Sequence, residues 1–168
     1  MNPIERKQIE ESRKQTALKH TFFNRYLLLR YSLALFFFAN LYWMVIQVLQ
    51  PSLYMGLPLV LLLFDILAYA EQFRMYGREQ VYLNWSQRAF QLQATMNLLL
   101  VCILLFTNQF TQVFPVFAAN QRALSIVCLF LALGVGIAGI NLRRISMILQ
   151  GKDRAYQDYQ YLKKIMSL

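Results

Sequence analysis

Four long apolar runs dominate the chain, and the polar residues gather between them instead of recurring along one helical face. Residues 31–50 carry no charge over twenty positions, and at about 1.5 Å per residue they make about 30 Å of helix, the thickness of a bilayer's hydrocarbon core. Residues 53–70, 90–108 and 124–142 repeat the pattern, with Asp65 as the only acid inside any of the runs. Pro51 and Ser52 leave a very short turn between the first two runs, so the second helix returns at once and lies antiparallel to the first. Pro58 lacks an N–H and crowds the carbonyl of Tyr54, which predicts a kink in the outer half of the second helix. The third run opens with Gln91, Gln93 and Asn97 and closes on LLLVCILLF, the pattern of a span whose inner half faces protein.

The flanks read differently. Asn2, Pro3 and Glu5 supply a cap, a first-turn proline and a capping-box acid, predicting a cytoplasmic helix within residues 1–25. Arg6 with Glu10, Lys7 with Glu11 and Glu10 with Lys14 stand four residues apart and would support that helix in water. Ile4, Ile9, Ala17 and Leu18 form only a thin apolar stripe, leaving open whether it lies on lipid headgroups or against a partner. In the tail, residues 143–168, the positions Ala155, Tyr159, Leu162 and Met166 follow Gly151 at helical spacing and predict a second amphipathic helix. The polar amino-terminal residues contain no short apolar region with a small-residue cleavage site, so the first span is expected to be the insertion signal.

Composition supports a membrane chain organised as one domain. Of 168 residues 58% are hydrophobic and 15% charged, against about 25% charged in a typical soluble domain. A net charge of +9 would suggest nucleic acid in a soluble protein, but the cations flank the apolar runs. Six precede the first run (Arg6, Lys7, Arg13, Lys14, Lys19, Arg25) and six follow the last (Arg143, Arg144, Lys152, Arg154, Lys163, Lys164). Such flanks report orientation and contact with anionic lipid, and the reading excludes a nucleic-acid partner. With four spans, fifteen of the 17 Lys and Arg residues fall on one side, Arg122 on the other and Arg30 at the border. The positive side is then the cytoplasm, with both termini there and the chain in the plasma membrane. Trp85, in the connection 71–88, reads as an interfacial anchor, and Phe106, Phe110, Phe114 and Phe117 as an outer aromatic belt.

Few residues break the apolar pattern. Asp65 stands about 8 Å from the cytoplasmic end of its run at the standard rise. A carboxylate there costs several kcal/mol unless paired or protonated. Arg30 and Asn97 are the expected partners by depth, and the aspartate reads as a lock between spans or as a proton- or cation-coupling site. Asn40 and Gln47 read as interhelical hydrogen-bonding glue. Gly134, Gly136 and Gly139 spell GxGxxG, but the dinucleotide motif needs a strand before it and an exposed helix start after it, and neither fits a continuous apolar run. Ala132 with Gly136, and Gly134 with Ala138, instead suit close helix packing, within the chain or between copies, and Gly139 extends the set. Cys102 and Cys128 fall inside spans as small hydrophobes at similar depth, and a contact between them is open. His20 is the sole histidine, too few for a metal site. The chain has no GxSxG, HExxH, CxxC or P-loop motif, so neither catalysis nor a cofactor is expected.

The run ERKQIEESRKQTALKHTFFNRYLLLRY, then ANLYW in the first span and EQFRMY after the second, resembles a group of short four-span membrane proteins of Gram-positive bacteria that carry a cellobiose phosphotransferase-subunit label. The resemblance covers about the first half of the chain, implies a four-span membrane fold and transfers no site residue. Together these features predict an all-α, polytopic bundle of four transmembrane helices with amphipathic cytoplasmic ends. Its expected role is a non-catalytic subunit that assembles with or regulates a larger membrane complex, through a protein partner or further copies of itself. The alternative is a small homo-oligomeric, proton-coupled transporter or channel using Asp65.

Overall fold

The computed structural model describes residues 5, 6, 9, 12, 13, 16, 26–75, 81–117, 120–153, 156, 157 and 160. Helices α1 (Leu27–Leu49), α2 (Gly56–Arg74), α3 (Asn84–Phe106) and α5 (Gln121–Leu149) are the four long elements, and a single turn, α4 (Phe110–Val113), follows α3. All four are long and apolar enough to cross a membrane, α2 together with the 3-10 turn Leu53–Met55 that leads into it. The chain is therefore a polytopic helical membrane protein.

The helices overrun the apolar stretches that mark them. α5 has 29 residues, about 43 Å at the standard rise, against about 30 Å of hydrocarbon, so its ends extend into the polar interface. Likewise α2 continues past residue 70 to Arg74, and α3 begins at Asn84, inside the expected 71–88 connection. Pro58 does not kink a helix. It is the third residue of α2, in the first turn, where its missing N–H would have had no intrahelical partner. The irregularity is taken up ahead of it by the 3-10 turn, which Ser52 caps by accepting from the N–H of Tyr54 at 3.2 Å.

Successive spans are neighbours: α1 packs on α2, α2 on α3 and α3 on α5, whereas α1 and α5 touch over a short stretch only. One end of the bundle carries Arg30, Arg74, Arg88, Arg143 and Arg144, and Arg122 stands at the other; these are the basic end and the far end below. Two apolar clusters form the core. Leu29, Leu33, Phe36, Ala68, Phe90, Ala138 and Ile145 fill the basic half, and Trp43, Leu61, Leu100, Leu104, Val113 and Val127 fill the far half. Most remaining apolar side chains point outward, as expected where lipid is the solvent.

At the far end α4 folds over the bundle. The carbonyl of Val113 accepts from Trp43 Nε1 and from Gln47 Nε2, each at 2.9 Å. Gln47 Oε1 in turn accepts from Ser52, so both sides of its amide are used, as expected for interhelical glue. Phe114 stacks on Trp43 at 5.5 Å, and Phe110, Phe114 and Phe117 meet one another at 6.4 Å. Three of the four phenylalanines expected to form an interfacial belt thus make an aromatic cap, and Phe106 alone is fully outward.

At the basic end the α2–α3 connection is fixed by Glu71. Its carboxylate accepts from the backbone N–H of Trp85 (3.0 Å) and Ser86 (2.8 Å) and from the Ser86 hydroxyl (3.0 Å). An acid from one helix therefore caps the first turn of the next, where unpaired N–H groups and the helix dipole favour negative charge. Trp85 lies under the Arg88 guanidinium at 5.3 Å.

Glu5, Arg6, Ile9, Ser12, Arg13 and Thr16 are helical, in line with the expected amino-terminal helix, as are Tyr156, Gln157 and Gln160 in the tail. The expected pairs involving Lys7, Glu10, Glu11 and Lys14, the position of His20, and the stripe Ala155, Tyr159, Leu162 and Met166 lie outside the described residues.

Candidate functional site

Between the two apolar clusters lies a polar layer to which every span contributes. Asp65 of α2, Asn40 of α1, and Gln93 and Asn97 of α3 are each 2–5% exposed. Asn40 is the hub: its Nδ2 donates to Asp65 Oδ2 at 3.0 Å and to Gln93 Oε1 at 2.9 Å, using both N–H bonds. Gln93 Nε2 donates to Asn97 Oδ1 at 3.0 Å, one turn along the same helix. Asn97 Nδ2 reaches the Leu131 carbonyl of α5 at 3.4 Å, a long bond that closes the run across the fourth helix.

Gly134 makes room for that last contact. A Cβ at this position would collide with Asn97 Nδ2, so the glycine is what lets the amide approach the α5 backbone. In hydrocarbon an unpaired amide or carboxyl has no water to fall back on, and placing these four groups edge to edge lets each satisfy another. Each such bond is worth about 0.6 kcal/mol on average between membrane helices; the larger effect is on register, because sliding or rotating any one span strands its neighbours' polar atoms.

This geometry changes the expected partnerships of Asp65. The aspartate is the central residue of α2, because the helix runs on past the apolar stretch to Arg74. Arg30 stands ten residues before Asn40 on α1, about 15 Å further toward the basic end at the standard rise, too far for a direct pair. The Arg30 backbone carbonyl instead accepts from the Tyr69 hydroxyl at 3.3 Å. Asn97 belongs to the same network as Asp65 but reaches it through Gln93 and Asn40.

The small residues of α5 separate into two sets. Gly134 and Ala138 are buried against the bundle. Ala132, Gly136 and Gly139 are exposed, and a Cβ on either glycine would meet nothing within 4 Å. The two faces were indistinguishable as a single GxGxxG run.

Three polar residues outside the expected set also prove structural or exposed. Gln72 Nε2 donates to Ser86 Oγ at 3.3 Å beside the Glu71 cap. Asn141, inside the fourth span, is buried and donates to the Ile137 carbonyl at 2.8 Å; its signal in the sequence was simply an amide in an otherwise uncharged run. Gln91 points outward, so only the Gln93–Asn97 side of α3 faces protein. Cys102 and Cys128 are free thiols. Among the described residues no three His, Cys, Asp or Glu side chains gather where they could hold a metal ion. Comparison with protein-family models, with curated proteins and with solved structures finds no match to this chain.

Proposed function

We propose that this membrane protein is a non-catalytic subunit that assembles with a larger membrane complex or with further copies of itself, and that the outward face of α5 is its contact surface. The observation that supports this is the open space at Gly136 and Gly139, flanked by Ala132, on the least buried of the four spans. Small residues four apart let a second backbone approach closely, the main source of helix association when lipid is as apolar as leucine. The inner polar atoms, by contrast, are largely occupied with one another and have little to offer a substrate. In this reading the basic end is cytoplasmic, facing the anionic headgroups of the plasma membrane, and both termini lie there.

The test is site-directed cross-linking in native membranes from Gly136→Cys or Gly139→Cys. The reading expects one cross-linked species of defined mass, lost when the other glycine is replaced by Ile, while the isolated chain stays folded. A chain that is monomeric in nanodiscs and yields no discrete product from native membranes would refute it. For orientation, thiol labelling of Arg122→Cys should require access from outside the cell and labelling of Lys152→Cys access from inside; the reverse pattern would overturn the topology.

A second reading, a small proton-coupled transporter or channel, is favoured by one observation: Asp65 begins a hydrogen-bonded run of amides that crosses the bundle from α2 to α5. Asp65→Asn should then abolish pH-dependent flux in proteoliposomes at unchanged thermal stability. Loss of stability with no flux in the wild type would assign the aspartate to the structural layer.

A further inference from the structure

Gln91 stands where an amide is hardest to leave unpaired. It precedes Gln93 by two residues on α3, about 3 Å toward the basic end at the standard rise, and Gln93 bonds Asn40 at the middle of the apolar run 31–50. Gln91 is therefore about 10 Å inside the edge of a hydrocarbon core about 30 Å thick. Arg88, one turn nearer the basic end, has the longer side chain needed to reach the interface, and its guanidinium lies over Trp85 at 5.3 Å. Asn40, Gln93, Asn97 and Asn141, the other amides deep in the helices, are buried, whereas Gln91 is exposed on the surface of the bundle. Its backbone carbonyl accepts from the Thr95 hydroxyl at 2.9 Å, but its side-chain amide has no hydrogen-bond partner among the described residues. Lipid tails offer none, which makes this a costly place for an isolated amide.

From Gln91 onward, exposed positions of α3 recur at alternating steps of four and three residues: Gln91, Thr95, Leu98, Cys102 and Leu105. That is a heptad seam, the repeat along which two parallel helices wind together and set the same residue of each across the axis. Outward positions on α1 and α2, such as Leu35, Phe38, Leu63 and Ile66, are apolar, so the amide singles out α3. Two copies of the chain inserted in one orientation hold every residue at the depth of its mate, and a two-fold axis along the membrane normal makes their contact self-complementary. Glutamine suits that symmetry because its amide both donates and accepts, so two of them can bond each other. A charged residue at this position would instead meet its own like charge.

We infer that the outward face of α3 is a homodimer seam, on which Gln91 of one copy exchanges hydrogen bonds with Gln91 of the other while Thr95, Leu98, Cys102 and Leu105 pack against their counterparts. A single polar pair in an otherwise apolar seam fixes register and favours one oligomeric state. This surface is separate from the outward face of α5 and the inference does not rest on it: the chain can pair through α3 and still present Gly136 and Gly139 to a further partner.

Cys102 lies on the seam and serves as the reporter. The full-length chain carrying Cys128→Ala is treated in native membranes with a membrane-permeant oxidant, to which two Cys102 thiols give up two electrons and two protons as the disulfide forms. The expected product has twice the mass of the chain and forms faster than in a control with Cys102→Ala and Val48→Cys, which sets the thiol on the outward face of α1 at a similar depth. Equal rates in the two would mean random collision and overturn the seam, and a Cys102 product joined to a different protein would overturn the second copy as its occupant. Energy transfer between labelled chains, followed on dilution in detergent, measures the contribution of the amide. Gln91→Leu should weaken pairing about fivefold to tenfold, the equivalent of two average interhelical hydrogen bonds, with the thermal unfolding of the single chain unchanged, and Gln91→Asn should restore most of it. Pairing that is indifferent to Gln91→Leu would overturn the inference. Gly136→Ile should leave the Cys102 product intact; its loss in that variant would move the contact to α5 and overturn the seam on α3.

Discussion

Replacing Gly134 with alanine isolates the one contact that joins α5 to the polar layer. The added methyl would occupy space held by Asn97 Nδ2, so the amide must withdraw from the Leu131 carbonyl, its hydrogen-bonded neighbour on α5. Phe36 lies at 3.7 Å from the same point and limits how far the methyl can be accommodated sideways. Overpacking of this kind costs about 1–3 kcal/mol, and the lost membrane hydrogen bond adds about 0.6 kcal/mol. Against these stands a gain of up to about 1 kcal/mol for alanine over glycine in a helix. The net expectation is a destabilisation of about 1–2 kcal/mol for Gly134→Ala. At Gly136 and Gly139 there is nothing to collide with, so the same substitution should be neutral or slightly stabilising in the isolated chain. Reversible unfolding in mixed micelles with increasing SDS, followed by tryptophan fluorescence, measures all three variants on one scale. If Gly134→Ala proves as stable as Gly136→Ala, the close approach of Asn97 to α5 is wrong, and with it the claim that the polar layer spans all four helices.

Other expectations follow from the same contacts. Asn40→Leu removes both donors of the hub at once and strands Asp65 Oδ2 and Gln93 Oε1; at about 1–3 kcal/mol for each buried group left unpaired, it should be the most damaging single change in the layer, read as loss of folded protein after detergent extraction. Double replacement of Asn40 and Gln93 by Leu should cost less than the sum of the singles, because the second change removes an acceptor the first had orphaned; strict additivity would deny that they are bonded. Glu71→Ala should lower stability by about 1–2 kcal/mol through loss of the α3 cap, with faster hydrogen exchange at the Trp85 and Ser86 amides as the local readout. Trp43→Phe should cost about 0.6 kcal/mol, since Gln47 still holds the Val113 carbonyl, and protease sensitivity of the outer connection should change little.

The four spans were legible because hydrophobic length is a property of each segment alone. The rotation of each helix about its axis was not. In lipid the outward face is as apolar as the core, so a sequence such as LLLVCILLF does not say which side faces protein. Asp65, Asn40 and Asn97 could be singled out one at a time as polar atoms in hydrocarbon, but their mutual bonding depends on how four helices turn toward one another. Gln93, one turn before Asn97, offered a same-face clue through its spacing. A helix also does not stop where its apolar run stops: α2 continues through Glu71 and Arg74, which makes Asp65 its middle residue while leaving its distance from the end of the apolar run unchanged. Pro58 illustrates the converse, because the same residue is a kink inside a helix and a favourable start at its first turn, and only the end of the preceding connection decides between them.

The position of Asn40 has a consequence for how the chain is made. It lies in α1, which leaves the ribosome before α2 and α3, while both groups that satisfy its amide are on those two later helices. Until α3 has been synthesised, α1 must carry an incompletely paired amide near its centre, and α2 a carboxyl whose hydrogen-bond partner among the described residues, Asn40, is itself incompletely bonded. Release of α1 and α2 into lipid as an independent hairpin is thereby disfavoured, and α1, α2 and α3 are expected to leave the insertion machinery together, with α5 joining them afterwards through Asn97.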